Sequence, residues 1–565
     1  MEINSKKRGR GAGGSKIPAW VILICLATLV FGIAGHALWT ADEPREAEIA
    51  REMAAGGSWV IPHLAGVPFV EKPPLYYWLS ALAMMTAGKI VGTTVAARAI
   101  AALCGALTLW ILWLVLREYL GRYRARAAVL ILTTMAGFFQ ATHWILIDPL
   151  LMLLVTAAVL FFFQGFDRDR PSLLLGAYLA AGLAFLTKGF VAWGLLAVPW
   201  GCLMVLYFRE IAKRPLLHLA GILLLIGPGL AWAVAFYSRG GPELWNEWFI
   251  NNQIGRFSGQ TTHSHERGML YYLGVAPILL LPWTPLLLGG IRRRSRDRIE
   301  EAESGGQALL KVALAWALGG LILLSLASTK RGIYLYPLLP GFACLAAFSL
   351  NKNPYWVEVV YRFLCPILVL PSLLLSLVIS GRLLSLIPPT LTWKGTGIGL
   401  DFNPIVIILA VAGIFALVRF KNNLLPRVAT VSGLLYLTVI FAVFPLIDAE
   451  KNYEPATRRL TAAIPTEGRG RVCGWYTDET IRAIFSYYTG LTLIDLRDKV
   501  NPEKNLGRLA NILSGNDEVY DSVIVLLKRD REFPPKGMPE ASFQIVKEEK
   551  MGRNRRLLLL TGQRK

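Results

Sequence analysis

"IPAWVILICLATLVFGIAGHALWTADEPREAEIARE", Ile17 to Glu52, sets a long apolar run directly against a dense group of carboxylates and arginines. A helix rises about 1.5 Å per residue, so roughly twenty apolar residues cross the ~30 Å hydrocarbon core of a bilayer. The run Ile17 to Leu38 meets that length. It also exceeds the apolar region of a cleavable signal peptide, so the basic stretch Lys6 to Lys16 is read as preceding a retained first helix. The charges that begin after Thr40 then need a reason, because a membrane helix seldom hands over to so many ionisable groups without one.

Apolar windows recur outward from this one as far as Ile447, about thirteen in all. They centre near Thr28, Leu107, Ile131, Val155, Ala180, Leu196, Leu224, Leu279, Gly319, Gly341, Val369, Ala410 and Tyr436. The shorter run Leu75 to Met85 is either re-entrant or continuous with the second span. With 54% hydrophobic residues over 565 and a mean hydropathy of +0.48, the chain is an α-helical polytopic membrane protein. Its net charge of +21 would suggest nucleic acid in a soluble protein. Here Lys and Arg cluster between apolar runs, where they set topology and meet anionic lipid headgroups, so no nucleic-acid partner is expected.

A cytoplasmic N-terminus makes alternate loops basic: "REYLGRYRAR", "DRDR", "FREIAKR", "IRRRSRDR" and "RFKNN". The outer side then receives Thr40 to Lys72, the Asp148 and Lys188 turns, Ser238 to Gly268, the Thr329 to Gly332 turn, and everything from Asp448 onward. The predicted organisation is a basic leader (1–16), a membrane domain (17–447) with outer loops 39–75 and 238–268, and a soluble terminal domain (448–565). The β-like runs "RVCGWYT", "LTLIDL", "DSVIVLLK", "FQIVKE" and "RLLLLT", with the amphipathic stretches "ETIRAIFSYY" and "NLGRLANILS", predict a small α/β domain. Five cysteines lie in apolar segments and Cys473 stands alone in the tail, so neither a disulfide framework nor a zinc cluster is implied.

The outer cations Arg45, Lys72, Lys188, Arg256, Arg267, Lys330 and Arg331 lie where topology makes basic residues scarce, which predicts an anionic partner. Asp42, Glu43, Arg45 and Glu46 open a helix starting near Pro44. They form either the capped end of a solvated interfacial helix or a binding cluster. In "FVEKPPLYYW", Glu71 and Lys72 precede a double proline and an aromatic belt. Asp148 in "ILIDPLL" either caps the next helix or is functional, since ionisable groups at membrane depth are costly. Lys188 in "FLTKGF" either snorkels to the interface or joins a site. Tyr334 and Tyr336 read equally as belt residues or ligand contacts. Arg256 offers planar bidentate donation suited to a phosphate. His263, His265 and Glu266 form a candidate metal cluster whose spacing equally suits a polar loop tip. No Gly-rich nucleotide loop is found.

Taken together, "DEPR", "EKPPL", "IDP", "NNQIGRF" and "KRGIYLYPLLP" resemble the bacterial branch of the protein mannosyltransferase superfamily, nearest the lipid A aminoarabinose transferases. The resemblance covers nearly the whole chain. It implies a type-C glycosyltransferase fold in the bacterial inner membrane, with the terminal domain in the periplasm. It further implies inverting transfer of a sugar, 4-amino-4-deoxy-L-arabinose, from undecaprenyl phosphate to a lipid A phosphate or to protein or another envelope glycan. By likeness, Asp42 would orient or deprotonate the acceptor with Arg45 in support, and Asp148 would sit beside the sugar. Lys72, Arg256 and Tyr334 would hold the carrier phosphate, with Lys188 a further binding residue. Glu71 resembles a position linked to a divalent metal (Zn or Mg/Mn). Where close relatives carry a His-Glu-His pattern, this chain has Asn251, Asn252 and Gln253, so a metal would need His263 or His265 as substitute. A transporter would instead place its charges near mid-membrane, and a scaffold would leave these clusters unused.

Overall fold

The computed structural model describes residues 17 to 562 apart from 40–41, 256–266, 292–303, 351–353, 380–403, 465–470, 497–501 and short stretches between 529 and 554. Among the described residues, eight helices are long and apolar enough to cross a membrane, or nine if Tyr271–Leu279 and Thr284–Gly290, bent by 113°, form one broken span. Three shorter apolar helices accompany them: Ala19–Val30 (α1), Phe190–Leu206 and Pro404–Arg419. Every predicted centre lies on a helix, with Leu107 and Ile131 sharing Thr93–Thr133. That element breaks at Gly121, whose φ of 76° and ψ of 165° are open to glycine and costly for other residues, so the basic segment there turns the chain between two spans.

Two expectations change. The predicted outer loop 238–268 is helical as far as Gly255. Pro215–Trp245 carries past Ser238, kinks at Gly241 (φ 68°), and continues as a π-helix, Asn246–Gly255. The helix expected near Pro44 begins at Asp42 (α2, Asp42–Ala54) and is not solvated: Asp42, Glu43, Glu46 and Glu48 are buried with Ile49, Ala50 and Met53. Leu75–Thr86 (α3) is a separate twelve-residue helix packed on α2, too short to span by itself. The chain between α2 and α3 pairs His63–Leu64 (β1) with Val67–Pro68 (β2) in a minimal hairpin.

The C-terminal region forms a four-stranded sheet from Val472–Trp475 (β3), Ser522–Lys528 (β4), Phe543–Met551 (β5) and Arg555–Gly562 (β6), in the order β3-β4-β6-β5. The β3–β4 pair is parallel and the rest antiparallel. Alternate β4 residues serve opposite faces: Ile524 and Leu526 pack with Ile481 and Phe485, whereas Val523 and Val525 pack with Leu509 and Ile512. Both faces are covered, one by the helix Glu479–Thr489 and the other by Pro502–Leu513. The predicted strand "LTLIDL" contributes only an isolated bridge between Asp495 and Gly474. All six cysteines are free thiols.

Candidate active site

α2 sets its first turn of carboxylates at one end of the bundle and sorts them by depth. Glu43 is structural. Its Oε1 accepts from Arg98 Nε at 2.7 Å and from Ile145 N at 3.2 Å, and its Oε2 accepts from Trp39 N at 3.1 Å. Arg98 also donates to Ala37 O at 2.7 Å and His36 O at 2.9 Å. Both side chains are 0% exposed, so this pair ties the chain after α1 to Thr93–Thr133 and has no room for a ligand.

Asp42, one residue earlier, lies in a partly open cluster. Its carboxylate accepts from Arg45 three residues on and from Arg331, which makes a second bond at 3.2 Å. Burial pushes the Asp42 carboxyl up, but Arg331, Lys72 and Arg45 outweigh it and hold the group below the usual carboxylate range. Lys72 donates to Glu46 at 2.6 Å; burial disfavours the lysine's charge, yet Glu46, Glu71 and Asp42 together outweigh it and the Lys72 pKa is raised. Glu71 lies within electrostatic reach of Lys72.

The cluster extends through the 3-10 turn Gly332–Leu338. Arg331, at its start, feels both Tyr334 and Asp148. Lys188 Nζ stands 4.3 Å above the Tyr334 ring and forms an ion pair with Asp148, which opens the helix Asp148–Asp167. Lys188 ends Pro171–Lys188, and Gly189 at φ 65° turns the chain immediately after it. The Tyr336 hydroxyl is buried within electrostatic reach of Asp148, Arg331 and Asp42, and has no hydrogen-bond partner among the described residues. An unpaired buried hydroxyl is costly, and a ligand oxygen would satisfy it.

Six sequence candidates, Asp42, Arg45, Lys72, Asp148, Lys188 and Tyr334, thus come together from five separated segments. Arg256 and His265 lie outside the described residues. Among the described residues no group of three His, Cys, Asp or Glu converges as a metal site, so Glu71 has no assembled ligand set there. Sequence reasoning missed Glu479, marked Arg331 only as an outer-side cation, and left Tyr336 open between belt residue and ligand contact. Arg331 was visible as an outer-side cation in "TKRGIYLYP", and Tyr336 as the second tyrosine of the same string. Glu479, which accepts from Arg45 Nη1 at 2.7 Å, carries no such local signal.

The bundle with its charged end is the architecture of the type-C glycosyltransferases. Over 96% of both chains it superposes on the crystal structure of ArnT from Cupriavidus metallidurans bound to undecaprenyl phosphate, with a TM-score of 0.72 at 19% identity. The apo form of that protein gives 0.70. Residues 71–232 match the dolichyl-phosphate-mannose-protein mannosyltransferase family model. An undecaprenyl phosphate-α-4-amino-4-deoxy-L-arabinose arabinosyl transferase of Serratia proteamaculans is 30% identical over 425 residues, 72% of each chain. One from Edwardsiella ictaluri is 33% identical over 342 residues, 59% of each chain. The chain belongs to this arabinosyl transferase family.

Proposed function

We propose that this protein transfers 4-amino-4-deoxy-L-arabinose from undecaprenyl phosphate to a lipid A phosphate at the periplasmic face of the inner membrane, inverting the anomeric centre. The observation that carries this reading is the convergence of Asp42, Arg45, Arg331, Lys72, Asp148, Lys188 and Tyr334 on one end of the bundle. Charges spread along the spans would favour a transporter; these gather at one mouth.

Cleaving a glycosyl phosphate builds positive charge on the anomeric carbon and negative charge on the leaving phosphate. Lys72 and Lys188 are cations already in place for that phosphate, with the Tyr336 hydroxyl as a further donor. Each of these cations already faces a carboxylate, so the carrier phosphate binds by exchanging partners and the resting site holds no uncompensated charge. Asp42, held ionised by its arginines, is a weak base. A lipid A phosphate is itself ionised near neutral pH and needs no deprotonation, so Asp42 acts by orienting the arginines that receive it. Asp148, beside Lys188 and Tyr334, faces the sugar, where a carboxylate suits the donor's ammonium group.

Purified full-length protein in proteoliposomes, given undecaprenyl phosphate-aminoarabinose and lipid A, is expected to add one pentosamine mass to lipid A. Unmodified lipid A beside a modified protein or glycan would redirect the acceptor, and no transfer to any acceptor would refute the reading.

A further inference from the structure

We infer that Glu479, on the C-terminal α/β domain, is a positioning residue of the transfer site, acting through Arg45. The inference rests on the activity proposed above. Arg45 divides its guanidinium, with Nη2 on Asp42 and Nη1 on Glu479 Oε2 at 2.7 Å, while its buried Nε has no hydrogen-bond partner among the described residues. A long side chain held only by a carboxylate on its own helix keeps much rotamer freedom. A second carboxylate from another element fixes the plane of the fork.

Glu479 is placed by contacts independent of the ion pair. Its helix is capped by Asp478, which accepts from Ile481 N at 3.0 Å. Farther along, Tyr487 bonds Thr93 and Thr94 at 2.9 Å, and Tyr488 Oη accepts from Leu38 N at 3.3 Å. These bonds tie the domain to the chain just before α2 and to the start of Thr93–Thr133, so Glu479 arrives at Arg45 with a defined approach. Its side chain is 41% exposed, and an ion pair that open to water adds little to stability. Orientation of Arg45, and through it Asp42, is what the contact supplies. The C-terminal domain therefore contributes to the site and is more than a soluble appendage.

The test uses full-length protein carrying Glu479→Gln, Glu479→Asp, Arg45→Met, the Glu479→Gln/Arg45→Met pair, and Tyr487→Phe. Glu479→Gln is expected to lower kcat about tenfold with the donor KM changed less than about twofold, as for a misaligned reacting group, and Glu479→Asp to recover part of it. In the Arg45→Met background Glu479→Gln should add almost nothing, the mark of a residue acting through its partner. Tyr487→Phe removes both bonds of that hydroxyl but leaves the Tyr488 bond and the packing of the helix on α2 in place, so the domain stays docked and kcat should stay within about twofold. An unchanged rate in Glu479→Gln, losses that multiply with Arg45→Met, or an equal loss in Tyr487→Phe would overturn the assignment. Hydrogen exchange without substrate separates this from the activity reading. Faster exchange in the first turn of α2 for Glu479→Gln, not increased further in the pair, supports the link even if wild-type protein transfers no sugar. Unchanged exchange there overturns it.

Discussion

Adjacent carboxylates in "DEPR" should fail in opposite ways. Glu43→Gln removes the charge facing Arg98 where both groups are sealed from water, leaving a buried guanidinium without its counter-ion. Breaking such a pair costs about 3–5 kcal/mol, because the remaining charge keeps its desolvation penalty. Asp42→Asn removes a charge from a cluster that reaches solvent, with the Asp42 side chain 11% exposed and that of Arg331 32%. An amide of equal size fits there and still accepts from one arginine while Arg331 reaches solvent, so the stability cost should be about 1–2 kcal/mol, below that of Glu43→Gln. Its effect falls on alignment: two arginines lose the carboxylate that holds them, and misplacing reacting groups by about 1 Å costs about 10²-fold in rate. Melting of the detergent-purified protein, read beside pentosamine transfer in proteoliposomes, separates the two. Asp42→Asn should melt near wild type and transfer at about a hundredth of its rate, consistent with that alignment cost. Glu43→Gln should melt markedly lower. Wild-type transfer by Asp42→Asn, or wild-type melting by Glu43→Gln, would refute the division of roles.

Lys188→Met leaves Asp148 buried without its cation and should destabilise by about 3–5 kcal/mol in thermal melting, with much of that regained in the Lys188→Met/Asp148→Asn pair. Because Asp42 titrates below its ordinary value of about 3.9, its stability contribution is complete above that value and is lost as pH falls through it towards the lowered one. The melting difference between wild type and Asp42→Asn should therefore stay constant from about pH 8 to 5 and shrink below about pH 4. Gly189→Ala forces a side chain into φ 65° and brings its Cβ to 2.3 Å from Gln253 Oε1. It should cost at least about 1–2 kcal/mol and, by shifting the Lys188 turn, slow transfer in the same assay.

The spans were legible because hydrocarbon imposes a length and a composition on each helix separately, so a window on the sequence finds them one by one. Strands β3 to β6 were legible for a similar local reason, and "LTLIDL" misled because its apolar pattern is not matched by pairing beyond Asp495. Burial of α2 was not legible. Its sequence is that of an interfacial helix, and the groups that neutralise it, Arg98, Lys72, Arg331 and Glu479, come from distant segments. Asp148 and Lys188 stood out individually because isolated charges in apolar surroundings are conspicuous, whereas their mutual pairing is a tertiary fact. Arg331 is legible only as a cation on the outer side, because nothing local ties it to Asp42.

The docking of Glu479–Thr489 on α2 has a consequence for biogenesis. Arg45 and Glu479 are 434 positions apart, and the later one follows every candidate membrane span among the described residues. A nascent chain can therefore insert these spans before Arg45 meets that partner. Termination between the last of these spans and Glu479 would leave a membrane-embedded product with its arginine fork unset, so setting that fork waits on synthesis of the C-terminal domain.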